Sequence, residues 1–295
     1  MVNFFVKLFG LGPENELIDN LQKIPAHELV LARSIVSLAI SYFLIVRRGL
    51  PLFGVNKKWL IIRGVTGTIA LTIFFQSIQN LPISIAATIQ YLAPIFTMVF
   101  AVIILGEKIF SKQWIFVFFA FVGVVLVTMN EYFSSINGIP LDLFWVFMGI
   151  VSASLSGIAY VSIVKLKSTD SPISVVGYFP FIAAPVMIIW CFFDFVLPKG
   201  VEWLILLIIG VFTQIAQVSL TKALHFDDST RIIPFQYLGA VYALLVGFFV
   251  LHEALNTIVV FGVILILLGV TLNSVYRKKA QGKISQMKRN HGESV

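Results

Sequence analysis

The chain has 295 residues, of which 59% are hydrophobic and 12% are charged, and its mean hydropathy is +0.97. This composition excludes a water-soluble globular fold, because soluble domains are only about half apolar. The formal net charge is +7. No basic face interleaved with aromatic residues accompanies that charge, so we expect no nucleic-acid partner. The composition predicts an all-α integral membrane protein, since the alternating polarity of a β-barrel is absent.

Apolar segments long enough to cross a bilayer follow one another along most of the chain. They lie near residues 28–46, 59–79, 83–105, 113–129, 143–165, 173–193, 202–223, 231–251 and 256–275. An earlier apolar segment, residues 1–10, is too short to cross. The sequence therefore predicts nine full spans.

Basic residues are distributed unequally between the two sets of alternate connections. One set contains only Lys23 and Lys199. The other holds sixteen: Arg47, Arg48, Lys57, Lys58, Lys108, Lys112, Lys165, Lys167, Lys222, Arg231, Arg277, Lys278, Lys279, Lys283, Lys288 and Arg289. Lys and Arg accumulate on the cytoplasmic side, so we predict a cytoplasmic C-terminus, with a bacterial inner membrane as the expected location. The basic tail, residues 276–295, is expected to attract anionic lipids.

Two halves of the sequence match at a constant offset of 146 residues, as 210 − 64 = 236 − 90 = 253 − 107 = 269 − 123 = 146. The matches are Gly64-Val65 with Gly210-Val211, Gln90-Tyr91-Leu92 with Gln236-Tyr237-Leu238, Glu107 with Glu253, and Gly123-Val124 with Gly269-Val270. A half with five helices makes the second copy enter the membrane from the opposite side. Such inverted repeats are typical of secondary transporters.

The repeat also bears on the start of the chain. The segment Phe4-Phe5-Val6-Lys7-Leu8 resembles Ser162-Ile163-Val164-Lys165-Leu166, which ends a full-length span. We therefore expect a ten-helix bundle whose first helix is truncated by roughly 15 residues. The predicted domains are a first repeat at 1–130, a second repeat at 143–275 and the tail.

These motifs resemble the EamA-type members of the drug/metabolite transporter superfamily. The resemblance rests on the run from Gln90-Tyr91-Leu92-Ala93-Pro94 to Leu105-Gly106-Glu107 and on its second-half copy, in which His252 replaces Gly106 and Gly239-Ala240 replaces Ala93-Pro94. It implies two inverted five-helix halves around a cavity lined by the first, third, fourth, sixth, eighth and ninth helices. It also implies a carrier that moves a small metabolite by alternating access.

Polar groups inside spans are costly unless they face a bundle interior, so they are the first candidates for solute binding. Gln90 lies one turn before Pro94, which has no N–H and therefore leaves the Gln90 carbonyl without its helix partner. Gln236 holds the matching position in the second half. We predict that Gln90 and Gln236 bind solute, with Pro94 as a gating or structural break.

Other candidates are spread over several spans. Interhelical hydrogen bonding is the alternative role for each of these side chains, and for Ser156 it is the preferred one. Arg33 is a candidate anion-binding residue, whereas Arg63 and Lys222 are expected to extend to the interface. The remaining predicted substrate-binding residues are Gln76, Gln214, Gln217 and Tyr160.

Glu107 and Glu253 end corresponding spans. A carboxylate is unfavourable at a helix C-terminus, so each is predicted to cap the following helix or pair with a cation, with gating as the alternative.

An enzyme of lipid or group transfer is the alternative function. It would need clustered catalytic groups near one interface, whereas the four histidines, His27, His225, His252 and His291, are scattered. We therefore expect no catalytic residue, metal or cofactor, and predict a transporter of an amino-acid-like or other amphipathic solute. A homodimer is a further expectation.

Overall fold

A computed structural model describes residues 2–12, 21–135, 142–242, 245 and 257–290. Every regular element within these ranges is helical. In the first half they are α1 (Val2–Leu11), α2 (Ala26–Arg47), α3 (Lys57–Asn80), α4 (Ile83–Gln90), α5 (Ala93–Phe100), a π-helical turn (Ala101–Leu105) and α6 (Ser111–Ser135). In the second half they are α7 (Leu143–Leu166), α8 (Pro172–Cys191), α9 (Val201–Phe226), α10 (Ser229–Ile232), a 3-10 segment (Ile233–Tyr237) and α11 (Thr257–Asn290).

Seven helical segments in the described ranges are long and apolar enough to cross a membrane. They are Ala26–Arg47, Lys57–Asn80, Ile85–Leu105, Leu143–Leu166, Pro172–Cys191, Val201–Phe226 and Thr257–Tyr276. Large apolar side chains cover their outer surface, including Phe261, which is 56% exposed, and Ile103, which is 72% exposed. A surface of this kind is stable against lipid tails and would aggregate in water. The predicted span 231–251 lies partly outside the described residues.

Local sequence signals set where the helices begin and end. The Asp142 carboxylate accepts from the Phe144 N–H at the start of α7, and the Ser171 hydroxyl accepts from the Ser174 N–H at the start of α8. These contacts satisfy N–H groups that have no partner within the helix. Gly106 adopts φ +69° and ends the π-helical turn, a conformation that favours glycine because it has no Cβ.

The predicted break at Pro94 is present. The span divides at Tyr91 and Leu92, and Pro94 lies in the first turn of α5, where its missing N–H costs no helix bond. The Tyr91 N–H bonds to both the Ala87 and Thr88 carbonyls, so α4 tightens as it ends.

Equivalent glycines in the two halves pack against equivalent residues of the opposite half. A Cβ placed on Gly64 would meet the Ile182 side chain, and one placed on Gly210 would meet Val36. The partners are equivalent, since 182 − 36 is again 146. The two halves are therefore related by a pseudo-two-fold axis, as the inverted repeat predicts.

The α6–α11 contact has the same symmetry. A Cβ on Gly123 would lie 2.5 Å from the Gly262 carbonyl oxygen, and one on Gly269 would lie 2.5 Å from that of Phe116. Here 262 − 116 is 146. Each glycine thus lets the opposite backbone approach at a distance that no side chain would allow. The bounds of the two repeats, 1–130 and 143–275, and of the tail stay predictions.

Candidate functional site

A cavity of about 280 Å³, lined by both polar and apolar side chains, lies at the junction of the two halves. Residues of α1, α2, α3, α4, α7, α8 and α9, and Tyr91 directly after α4, line it. Its lining is Asn3, Arg33, Arg63, Gly67, Ala70, Leu71, Phe74, Ala87, Gln90, Tyr91, Ser156, Ala159, Tyr160, Phe179 and Gln217. Polar groups thus face an apolar wall, an arrangement typical of small-molecule sites. The lining also includes Arg33 of α2 and Phe179 of α8. These correspond to the second and seventh of the ten family helices, which the resemblance did not place around the cavity.

Four of the predicted substrate-binding residues lie in this cavity: Arg33, Gln90, Tyr160 and Gln217. The Gln90 Nε2 atom donates to the Ser156 hydroxyl oxygen at 3.2 Å. The Gln90 Oε1 atom is buried and has no hydrogen-bond partner among the described residues. Gln90 therefore presents a free acceptor at the cavity, held in place by its bond to α7.

The other three predicted substrate-binding residues lie outside the cavity lining. The Gln214 Nε2 atom donates to the Ser41 hydroxyl oxygen at 2.8 Å. This bond links α9 to α2, so Gln214 has the alternative role of interhelical hydrogen bonding. Gln76 is half-buried in α3. Gln236 lies in the 3-10 segment, and its Nε2 atom is buried without a partner among the described residues.

Glu107, just after the π-helical turn of the first half, contacts the start of α10 in the second half. Its carboxylate accepts from the Ser229 hydroxyl at 2.9 Å, from the Ser229 N–H at 3.3 Å and from the Thr230 N–H at 3.4 Å. These bonds cap the first turn of α10, which favours negative charge. Pro94 is buried in α5 and lies outside the cavity lining. Glu253 falls outside the described residues.

The prediction for Arg63 was wrong. Its side chain is 3% exposed and lines the cavity, so it does not extend to the interface. The Arg63 Nη2 atom donates to the Gln217 Oε1 atom at 3.2 Å, which directs the guanidinium toward α9. A buried cation of this kind marks a solute pathway more often than a packing contact.

Phe179 connects the two cavity arginines. The guanidinium carbons of Arg33 and Arg63 each lie 5.5 Å from the centroid of the Phe179 ring, within the range of a cation–π interaction. Arg33 and Phe179 are themselves equivalent in the repeat, because 179 − 33 is 146. Two equivalent residues in contact must lie near the pseudo-two-fold axis. Tyr91 and Tyr237 are another such pair, with ring centroids 6.0 Å apart.

Gly67 makes room for the Arg63 guanidinium. A Cβ at this position would clash with the Arg63 Nη1 atom and lie 3.2 Å from the Phe179 ring. Gly67 follows Arg63 by one turn on the same face of α3, so its missing side chain lets the guanidinium lie along the helix toward the ring.

Fold and cavity together define a multi-pass membrane protein with a cavity, lined in part by polar side chains, at the interface of two inverted repeats. The sequence profile of the EamA-like transporter family matches residues 19–129 and 143–275. The chain therefore belongs to the EamA-like transporter family and is a membrane transporter of small solutes.

Individual relatives agree with this assignment. The chain is 28% identical over 247 residues to the pseudopaline exporter CntI of Pseudomonas aeruginosa, covering 83% of this chain and 85% of that protein. It is 28% identical to the S-adenosylmethionine uptake transporter of Rickettsia bellii, over 76% of this chain and 74% of that protein. Human solute carrier family 35 member G1 is 26% identical, over 80% of this chain and 67% of that protein.

A solved crystal structure has the same fold. It aligns with a TM-score of 0.74 over 95% of this chain and 97% of its own chain, at 15% sequence identity. At that identity the likeness supports the architecture and carries no information about the solute.

Proposed function

We propose that the chain is a carrier that moves its solute by alternating access, with the cavity between the two repeats as the solute-binding site. The observation that supports this most strongly is the convergence of polar side chains from both halves on one cavity. Gln90 and Arg63 come from the first half, and Tyr160 and Gln217 come from the second. A change in the angle between the halves would therefore alter access to all of them at once.

Small residues support movement between the halves. A Cβ on Gly157 would lie 3.0 Å from the backbone of Phe96 and Thr97, so α7 rests directly on α5. Close backbone contacts of this kind let packed helices slide or rock without rearranging large side chains.

We infer a carrier rather than an enzyme, because the relatives are named as transporters and the cavity groups suit binding. The amides and guanidinium groups suit hydrogen bonding to a solute, and the described lining residues include no His, Asp, Glu, Lys or Cys beside Ser156 or Tyr160 that could activate either hydroxyl as a nucleophile. The proposed location is a bacterial inner membrane with the C-terminus in the cytoplasm, supported by the excess of basic residues on one set of connections. The homodimer and the lipid contacts of the tail stay predictions.

Replacing Gln90 by alanine should lower solute flux at least about fivefold, because a buried hydrogen bond to the solute is lost. The measurement is uptake by purified protein in liposomes across a radiolabelled panel of amino acids, nucleosides, dicarboxylates and sugar phosphates. The matched control is Gln76→Ala, which removes the same side chain from α3 outside the cavity lining and should retain flux. No flux of any solute by the wild-type protein would contradict the proposed function, and equal loss in both variants would contradict the site.

A further inference from the structure

The cavity holds two buried cations. Arg33 is 6% exposed and Arg63 is 3% exposed, and the Nε atom of each is buried with no hydrogen-bond partner among the described residues. A buried charge is costly unless it is paired or its hydrogen-bonding capacity is met. Their position in the solute cavity makes the solute the natural source of that compensation.

No carboxylate offsets these charges within the part of the chain that the structure describes. The described lining residues include two arginines and no Asp or Glu. The salt bridge found among the described residues joins Arg231 to Asp227, away from the cavity. Arg63 donates a hydrogen bond to the neutral amide of Gln217, which meets one donor and leaves the charge uncompensated.

The two guanidinium groups are close enough to act on one small molecule. Each guanidinium carbon lies 5.5 Å from the same Phe179 centroid, so the two carbons are at most 11 Å apart, twice that distance. The Phe179 ring is in cation–π contact with both, and Gly67 leaves space for the Arg63 guanidinium. A planar guanidinium recognises oxyanions through paired N–H donors, which makes Arg the preferred residue for carboxylate and phosphate groups.

We propose that the transported solute is a small dianion, carrying two carboxylates or a phosphate, which Arg33 and Arg63 bind together. This inference rests on the proposed function, because it takes the cavity to be the solute site. The two arginines neutralise the anionic oxygens. The Gln90 amide and the Tyr160 hydroxyl bind the remaining polar groups of the solute, and the apolar wall of Leu71 and Phe74 accommodates its carbon skeleton.

The test is the shift in thermal unfolding midpoint of the purified full chain with millimolar succinate or inorganic phosphate, against sodium chloride at equal ionic strength. Succinamide, the neutral isostere of succinate, is the chemical control. Arg33→Gln and Arg63→Gln should each weaken anion binding roughly ten- to a hundredfold, since a charged hydrogen-bonding group is lost. Arg63→Lys keeps the charge but loses the fork and should weaken binding less. Lys58→Gln removes an exposed cation from the same helix and should leave binding unchanged.

A shift with succinate alone would identify a dicarboxylate solute, and a shift with phosphate alone would identify a phosphorylated one. Absence of a shift with both anions, an equal shift with succinamide, or retention of the shift in both glutamine variants would overturn the proposal. Flux of a neutral solute through the wild-type protein would contradict the proposal that the solute is a dianion, while the carrier function would stand. Binding of succinate or phosphate at the arginines without flux of any solute would support the anion site and contradict the carrier function.

Discussion

Alanine at Gly123 or Gly269 should lower the thermal unfolding midpoint of the purified protein. In either variant the new Cβ would lie 2.5 Å from a backbone carbonyl oxygen of the facing helix, so α6 and α11 would have to separate. Overpacking of this kind costs about 1–3 kcal/mol. Alanine is intrinsically a better helix former than glycine by up to about 1 kcal/mol. Helix propensity alone therefore predicts a higher unfolding midpoint for these variants, whereas packing predicts a lower one.

Gly149→Ala is the matched control for this prediction. Its nearest neighbour is the Ile89 side chain at 3.0 Å, which can move aside, whereas a backbone oxygen cannot. The loss there should be smaller. In the Gly123→Ala/Gly269→Ala double variant the second substitution should cost less than the first, because both separate the same pair of helices. An unchanged or higher midpoint in both single variants would show that the two helices do not pack as described.

Exchange of labelled for unlabelled solute across a liposome membrane should be at least about tenfold faster than net efflux of the same solute. The reason is that the empty cavity must close around Arg33 and Arg63 without their anion. Occluding two uncompensated charges raises the barrier to return of the empty carrier, and a bound dianion removes that penalty. This expectation depends on the proposed charge of the solute.

The ratio of exchange to net efflux can be compared between variants. It should fall toward one in the Arg33→Gln/Arg63→Gln double variant, measured at high solute concentration because its affinity is reduced. Lys58→Gln should keep the wild-type ratio. Equal rates of exchange and net efflux in the wild-type protein would mean that the empty carrier returns freely, against the argument from buried charge.

The helices were predictable because the bilayer constrains them so strongly. The predicted span at residues 59–79 corresponds to α3 at Lys57–Asn80, and the span at 173–193 corresponds to α8 at Pro172–Cys191. A spanning segment needs a minimum apolar length, and charged residues end it. The break beside Tyr91 followed from the missing N–H of Pro94.

The direction of individual side chains was harder to predict. The depth of Arg63 in its span was evident, but depth does not say whether a long side chain bends toward the interface or the interior. Its interior orientation depends on Gly67 one turn later and on Phe179 from another helix. Gln236 was expected to mirror Gln90, yet only Gln90 lies in the cavity lining. Equivalent positions in two repeats need not face the same space when the helices break differently.

The sequence repeat itself predicts the contact between Arg33 and Phe179. Applying the offset of 146 to Arg33 gives Phe179, so the repeat places an aromatic ring opposite the deepest predicted cation. Residues related by the pseudo-two-fold axis come together only close to that axis, which is where an inverted-repeat carrier has its site.

Protection of a cavity cysteine by solute would test the proposed site most directly. The chain has a single cysteine, Cys191, so Cys191→Ser supplies a thiol-free background for Ser156→Cys in the cavity and Gln76→Cys outside it. The rate of alkylation by a small membrane-permeant maleimide is then measured with and without the solute of highest flux. We predict that solute slows modification at position 156 and leaves position 76 unaffected. Equal modification of Ser156→Cys with and without a solute that the protein transports would show that the solute binds elsewhere.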